Sequence, residues 1–257
     1  MTPRLAGRRI FVTGGGSGIG AAVAHRAAAE GAGVAVTDAR KDAADAVAEA
    51  IRAAGGTAVA LYCDVADEQS VSAAVEGAAL ELEGLDGAVT CAGITRSGLT
   101  HELDLADWEL ALRINLTGTF LPLKATIPHL LAAGGGSVVT VGSVASLVAA
   151  NDNSPAYDAS KGGVLQLTRS VAMGYAEHGI RANCLCPGVV STGLAANTVQ
   201  LHGTIRVPTH SDAIAATPLR RKAVPEEMAT VVAFLLSDEA SFMTGAAIAA
   251  DGGLTAH

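Results

Sequence analysis

Two side chains able to exchange protons stand four residues apart, Tyr157 and Lys161. The segment around them is predicted to be helical, and residues four apart lie on the same face of a helix. A free tyrosine has a pKa of about 10, too high for ready proton exchange near neutrality. An ammonium at about 4 Å contributes roughly 4 kcal/mol at an effective dielectric of 20, which would lower the tyrosine pKa by about three units. The pair is therefore predicted to act as a general acid/base, although this spacing alone also arises by chance on exposed helices.

Two further polar residues, Ser143 and Asn115, are candidates for the same site. Ser143 follows a predicted strand, at the sheet edge where ligands bind, so its hydroxyl could hold a carbonyl oxygen beside Tyr157. The alternative is an ordinary turn serine. Asn115 stands in the middle of a predicted helix, where asparagine is a poor helix former. It either orients a water that connects Lys161 to solvent, or is a buried side chain bonded to a backbone carbonyl.

A glycine-rich turn follows the first predicted strand and opens the first helix, a context typical of a dinucleotide site. Gly14 permits the tight turn, Gly18 lets a pyrophosphate approach the backbone, and Gly20 lets the helix lie close to the sheet. N–H groups at the helix N-terminus are then free to hold phosphates. The residues expected to do so are Gly14, Ser17, Gly18, Ile19 and Gly20.

Acidic residues end the second and third predicted strands. Asp38 is placed to accept hydrogen bonds from the adenosine ribose, and a carboxylate there repels a 2′-phosphate. NAD is therefore favoured over NADP, a preference that Arg40 could soften; the alternative is that Asp38 is a turn residue or helix cap. Asp64 either bonds the adenine amino group, with Val65 supplying a backbone N–H, or caps the next helix or forms a turn before it. Small residues after the fourth strand, Ala92 and Gly93, would pass under the ribose.

These residues need a scaffold of alternating strands and helices. Strands are predicted at 9–13, 34–38, 57–63, 88–90, 137–141, 181–185 and 246–250. Helices are predicted from the glycine turn to about 30, and at 42–54, 67–82, 105–131 (kinked at Pro122 or Pro128), 155–178 and 225–236. Apolar strands separated by helices indicate an α/β fold, a Rossmann-type doubly wound parallel sheet of about seven strands with helices on both faces. No linker divides the chain, so one domain spanning 1–257 is expected.

Composition excludes several classes of function. Half of the 257 residues are apolar and the net charge is −8, so the chain can bury a core but repels nucleic acid.

Four cysteines lack disulfide-framework or C-x-x-C spacing, which favours reduced thiols in a cytoplasm. Cys184 and Cys186 are expected to point to opposite faces of their strand, and no metal site is expected. Polar residues, Pro and Gly interrupt the uncharged stretches 125–151 and 182–205, so neither a membrane span nor a signal peptide is predicted.

From Arg9 to Gly253 the chain resembles the short-chain dehydrogenase/reductase family. The resemblance rests on Thr13-Gly14-x-x-x-Gly18-x-Gly20, Asp64, Ala92-Gly93, Asn115, Ser143, Tyr157-x-x-x-Lys161, Pro187-Gly188 and Asp251-Gly252-Gly253. It implies that Asn115, Ser143, Tyr157 and Lys161 form a catalytic tetrad, in which Tyr157 exchanges the hydroxyl proton and Lys161 also binds the nicotinamide ribose. Pro187, Gly188, Val190 and Thr192 would line the nicotinamide end. Cys91 replaces the family's usual Asn, in the stretch Cys91, Ala92 and Gly93 that borders the cofactor.

The resemblance also implies assembly and specificity. The family mostly forms tetramers, so a homotetramer is expected, and the segment 193–218 corresponds to the variable substrate lid. It contains His202, Arg206, His210 and Asp212, and the two histidines are expected to be solvated loop residues rather than metal ligands. Arg96 could meet an anionic group, although an exposed salt bridge is the simpler reading. Asn151, Asp152 and Asn153 could bond a polyol, or form a polar turn.

Three functions remain open from the sequence. The first is an NAD-dependent oxidoreductase acting on a secondary alcohol or its ketone. The second is a 3-oxoacyl-thioester reductase, which usually draws on NADPH and is disfavoured by Asp38. The third is a nucleotide-binding regulator without turnover, disfavoured because the tetrad is complete. The three-residue gap between Tyr157 and Lys161 argues against the family's enoyl reductases, which use a wider gap.

Overall fold

A computed structural model describes residues 3–149, 153–202, 214 and 216–256. Within them, seven strands form one parallel sheet in the order β3-β2-β1-β4-β5-β6-β7. The strands are β1 Arg9–Thr13, β2 Gly33–Asp38, β3 Thr57–Tyr62, β4 Gly87–Thr90, β5 Gly136–Val141, β6 Ile180–Pro187 and β7 Ala247–Ala250. The helices are α1 Gly18–Ala29, α2 Lys41–Ala53, α3 Glu68–Glu81, α4 Leu105–Leu112, α5 Gly118–Ala132, α6 Pro155–Tyr175, α7 Leu194–His202 and α8 Pro225–Leu236. This confirms the predicted doubly wound sheet.

Strand β1 shows why its sequence is apolar at successive positions. Ile10 and Val12 pack into a core that includes residues of α1, α2 and α8. Phe11, between them, points to the opposite face, into a core that includes residues of α3, α5 and α6. Because successive side chains of a strand alternate between faces, a sheet covered on both sides requires apolar residues at consecutive positions.

The long helix predicted at 105–131 is interrupted, but not where the prolines suggested. Helix α4 ends at Leu112, a π-helical turn covers Arg113–Thr117, and α5 continues from Gly118. Both Pro122 and Pro128 lie inside α5. A π turn of this kind often marks a functional site, and this one contains Asn115.

Parallel strands bring the predicted site residues to one edge of the sheet. The glycine turn follows β1, Asp64 follows β3, Cys91 follows β4 and Ser143 follows β5. Asp38 and Pro187 are the last residues of β2 and β6. The residues named earlier at 151, 152, 206, 210 and 212 lie outside the described part of the chain. None of the helices in that part is long and apolar enough to cross a membrane.

Candidate active site

The glycine turn forms a cradle that larger side chains would fill. Gly14 has a φ of +61°, and a Cβ built on it would lie 2.8 Å from the Cα of Ala92. A Cβ on Gly20 would overlap the carbonyl of Gly14. Ser17 precedes α1, but its side chain caps none of the described N–H groups. These helix N-terminal groups are therefore available to an anion, which fits a pyrophosphate.

Asp38 is a buried carboxylate fixed at the end of β2. Its Oδ2 accepts a hydrogen bond from the backbone N–H of Gly16 at 3.0 Å, and its Oδ1 accepts one from the N–H of Arg40 at 2.9 Å. The guanidinium Nε of Arg40 lies 3.9 Å from the same Oδ1. Asp38 thus has a turn-forming role as predicted in the alternative, and it also lines the cavity at the carboxyl edge.

Asp64 also forms a turn, but it does not cap α3. Its Oδ1 accepts from the N–H of Ala66 at 2.9 Å. The cap of α3 is Asp67, whose carboxylate accepts from Gln69 and Ser70. The structure therefore shows the turn expected as one alternative for Asp64. Capping by Asp64 is wrong, because Asp67 stands directly before the first turn and occupies that position.

A cavity of about 730 Å³ lies at the carboxyl edge of the sheet, a size usual for a small-molecule or cofactor site. It brings together all the residues predicted to bind the cofactor, and three of the four predicted catalytic residues. These are Gly14, Ser17, Gly18, Ile19, Gly20, Asp38, Asp64, Val65, Cys91, Ala92, Gly93, Ser143, Tyr157, Lys161, Pro187, Gly188, Val190 and Thr192. Sequence reasoning missed other lining residues, among them Tyr62, Ile94 and Asn197.

Ser143 and Lys161 are held together at the end of β5. Ser143 begins a short 3₁₀ turn, Val144–Ser146, and its Oγ accepts from the N–H of Ala145 at 3.2 Å. The hydroxyl of Ser146 donates to the backbone carbonyl of Lys161 at 2.7 Å. The Nζ of Lys161 donates to the carbonyl of Val141 at 2.8 Å. These bonds fix α6 against the strand that carries Ser143.

The expected lowering of the Tyr157 pKa is wrong for this structure. Burial raises the pKa of Tyr157; the Ser143 hydroxyl lowers it by less, and the neighbouring Asp158 charge raises it. The Nζ of Lys161 lies 5.7 Å from the centre of the Tyr157 ring and donates a hydrogen bond to the carbonyl of Val141. Burial also lowers the pKa of Lys161. For Tyr157, the rise in pKa caused by desolvation therefore outweighs the lowering by the Lys161 charge that the spacing of the two residues suggested.

Asn115 does not line the cavity; it is buried behind it. Its Oδ1 accepts from the N–H of Ile94 at 2.8 Å, and its Nδ2 donates to the carbonyl of Ile94 at 3.0 Å and to the hydroxyl of Ser160 at 3.0 Å. Ser160 in turn donates to the carbonyl of Tyr157 at 2.7 Å. The structure shows the backbone-bonded alternative: Asn115 positions the loop after β4 and the start of α6.

The prediction that Cys184 and Cys186 point to opposite faces of β6 is wrong. Their Sγ atoms lie 3.9 Å apart, both in the cluster that contains Val164 and Leu165. Residues two apart share a face of a strand, since alternation has a period of two.

Cys91 is the remaining thiol near Lys161, and burial raises its pKa to about 12. Among the described residues, no group of three His, Cys, Asp or Glu side chains could hold a metal ion.

The chain is similar to known proteins over nearly its whole length. Residues 14–255 match a family model described as enoyl-(acyl carrier protein) reductase. The chain is 41% identical over 258 residues to 2-(S)-hydroxypropyl-CoM dehydrogenase 3 of Xanthobacter autotrophicus and 44% identical over 257 residues to cis-4-hydroxycyclohexanecarboxylate dehydrogenase of Sinomonas cyclohexanicum, each match covering 100% of both chains. A solved short-chain type dehydrogenase/reductase from Mycobacterium marinum superposes with a TM-score of 0.92 and 32% identity, covering 100% of this chain and 98% of that one.

Proposed function

Because this chain belongs to the short-chain dehydrogenase/reductase family, we propose that it transfers a hydride between NAD(H) and the carbon of a secondary alcohol or its ketone. The observation that carries this proposal is the single cavity that joins the glycine cradle and Asp38 to Ser143, Tyr157 and Lys161. The names of the two relatives describe dehydrogenases of hydroxyl-bearing compounds, which supports an alcohol as the substrate.

The chain's own residues supply the proton chemistry and the positioning. The Ser143 hydroxyl holds the substrate oxygen, and the Tyr157 hydroxyl gives its proton to that oxygen during ketone reduction and takes it back during alcohol oxidation. Lys161 binds the nicotinamide ribose. Asn115 acts as a positioning residue through its bonds to Ile94 and Ser160. At the nicotinamide end the cavity is lined by Pro187, Gly188, Val190 and Thr192.

We propose NAD rather than NADP as the preferred cofactor. The Asp38 carboxylate is fixed by the backbone N–H groups of Gly16 and Arg40, so it cannot turn away from a 2′-phosphate without losing both bonds. Arg40 lines the same cavity and reduces the repulsion without removing it. NADP is therefore expected to bind, but more weakly.

The alternatives have less support. A 3-oxoacyl-thioester reductase using NADPH conflicts with the fixed Asp38 carboxylate, and the names of the two relatives do not favour it. The enoyl-reductase description of the matched family model conflicts with the three-residue gap between Tyr157 and Lys161. A regulator without turnover would have no need for Ser143, Tyr157 and Lys161 in one cavity.

Assembly and location are part of the proposal. We propose that the chain folds as one domain around its single sheet and forms a homotetramer. Large apolar side chains are exposed on α5, on α6 and before β7, at Phe120, Met173 and Phe242, and such surfaces favour burial in an interface. The four free thiols favour a reducing cytoplasm.

The proposal is tested by following the near-ultraviolet absorbance of reduced nicotinamide with NAD and NADP in parallel. The panel contains secondary alcohols, including polyols and hydroxy acids, together with hydroxyacyl thioesters. Turnover of an alcohol with NAD is the expected result. A preference for NADP with an acyl thioester would overturn the cofactor and substrate assignment, and binding of NAD without turnover of any class would favour the regulator.

A further inference from the structure

Helix α7 is attached to both sides of the cofactor cavity. On the side of the glycine turn, Nδ2 of Asn197 donates to the Ser17 hydroxyl at 3.0 Å, and Nη1 of Arg40 donates to Oε1 of Gln200 at 3.4 Å. On the side of the loop after β4, the N–H of Thr95 donates to the Thr198 hydroxyl at 3.4 Å, and Nη2 of Arg96 donates to the carbonyl of His202 at 3.0 Å. The helix therefore bridges the cleft along its length.

Arg96 is the charged member of these contacts, and its burial was not predicted. The residue is only 2% exposed, and its Nε forms an ion pair with Oδ1 of Asp107 at 2.8 Å. The expectation of an exposed salt bridge is therefore wrong for the guanidinium, although Asp107 itself is 44% exposed. The buried arginine therefore contacts both α7 and α4.

The guanidinium of Arg96 links two helices. Its Nη2 donates to the carbonyl of His202 in α7, and its Nε pairs with the carboxylate of Asp107 in α4. Arg96 therefore connects α7 to α4 by a charge-assisted hydrogen bond and an ion pair.

The end of α7 that Arg96 holds borders the part of the cavity assigned to adenosine. Leu201 and His202 line the cavity, as does Asp64. His202 is exposed, as expected from the sequence, but it lies in helix α7 rather than in a loop. Burial lowers the pKa of His202, the Arg96 charge lowers it further, and the Asp64 charge raises it.

We propose that Arg96 is a positioning residue that holds α7 at His202 over the adenosine half of the bound dinucleotide and thereby slows its release. The inference rests on the proposed cofactor. It adds Arg96, which does not line the cavity, to the residues that retain the dinucleotide. Arg96 acts through His202 and α7 and makes no contact with the reacting atoms.

The test compares Arg96→Met with the wild-type protein by NADH fluorescence, as an equilibrium Kd and as a dissociation rate in stopped flow. We expect NADH to dissociate at least tenfold faster and to bind at least tenfold more weakly, because α7 loses its attachment to α4. The variant is expected to fold, since the carboxylate it leaves, Asp107, is half-exposed. Arg96→Lys keeps the charge and is expected to restore part of the slow release.

Arg52→Met is the matched control. Nη1 of Arg52 donates to the carbonyl of Ala58 at 3.0 Å, an equivalent arginine–carbonyl bond between α2 and β3, and NADH release is expected to be unchanged. A folded Arg96→Met protein with wild-type NADH release would overturn the inference while leaving the proposed function intact. If Arg96→Met does not fold, Asp107→Asn, which removes the ion pair from its half-exposed partner, is measured in its place, and wild-type NADH release from that variant overturns the inference. A wild-type protein that binds neither NADH nor NADPH would overturn the proposed function as well.

Discussion

Asn115 bonds both backbone polar groups of Ile94 through its side-chain carboxamide. The two bonds, at 2.8 and 3.0 Å, resemble a strand-pairing contact made by a side chain. They fix the loop after β4, which lines the cavity at Ile94 and Thr95. An asparagine that does not line the cavity thus determines the shape of one of its walls.

Replacing Asn115 by alanine should destabilise the fold. The change leaves buried polar groups of Ile94 without their partner, at about 1–3 kcal/mol for each unsatisfied group. For a chain of this size, each kcal/mol lowers Tm by about 2–4 °C. Urea unfolding gives the free energy of unfolding. Asn197→Ala is the comparison variant: it removes one part-buried hydrogen bond and is expected to cost less, about 0.5–1.5 kcal/mol. An Asn115→Ala protein as stable as the wild type would contradict the role.

Tyr157→Phe should abolish turnover and leave cofactor binding nearly unchanged. The variant keeps the ring over which Lys161 lies and removes only the hydroxyl, the proposed proton donor. Loss of a general acid typically lowers the rate by about 10²–10⁴, whereas NADH affinity should stay within a few-fold. Steady-state rates and NADH fluorescence measure the two effects separately. Unchanged turnover would refute the assignment of Tyr157.

Asp158→Asn should move the pH dependence of alcohol oxidation. Burial raises the pKa of Asp158 to about 6, and above that pH its negative charge raises the pKa of Tyr157. Removing the charge lowers the Tyr157 pKa, so the rising limb of kcat/KM against pH should shift to lower pH. Below about pH 6, where the carboxyl is protonated in both proteins, the curves should converge. Coincident limbs at high pH would show that Asp158 has no influence on Tyr157.

Asp38→Asn should relax the choice of cofactor. The amide has the same size but lacks the charge that repels a 2′-phosphate. The ratio of kcat/KM for NADP to that for NAD should rise at least tenfold, which corresponds to about 1.4 kcal/mol. Asp45→Asn is the control, since Asp45 pairs with Lys41 on the exposed face of α2 and its loss should not change the ratio. An unchanged ratio in Asp38→Asn would remove the support for NAD.

Gly14→Ala should cost more stability than Gly7→Ala. Both glycines have positive φ, +61° and +76°, so both variants carry the left-handed backbone cost of about 1–2 kcal/mol. Only the Cβ on Gly14 would meet the Ala92 backbone, whereas nothing lies within 4 Å of one on Gly7. Chemical denaturation gives the free energy of unfolding of both variants, and the difference between them isolates the effect of close packing. Equal losses of free energy would mean that the glycine turn shifts to accommodate the added Cβ without cost.

Local patterns predicted the sheet and most of the cavity. The alternation of Ile10, Phe11 and Val12 between two covered faces appears in the sequence as a continuous apolar run. The parallel arrangement then brings residues that follow different strands to one edge. These features depend on residues that are close together in the chain, so they can be recognised in a single sequence.

Features that depend on contacts between distant segments were not predictable in this way. The π turn at Asn115 is associated with bonds to Ile94, and the burial of Arg96 depends on α7 lying above it. The Tyr157 pKa was mispredicted because spacing gives the distance to Lys161 but not the loss of solvent. Asn197 gave no signal, since its contact with Ser17 joins residues 180 positions apart.

The pairing of β1 with β4 has a consequence for the order of folding. All other neighbours in the sheet are consecutive strands, whereas Arg9 and Asp86, bonded at the start of this pair, are 77 residues apart. Each half of the sheet can grow through local crossovers, but joining the halves requires a long loop to close, which slows folding. A dinucleotide that touches Gly14 on one half and Ala92 on the other would bind across this seam. Saturation with the cofactor should therefore slow unfolding and prolong the lifetime of the folded chain.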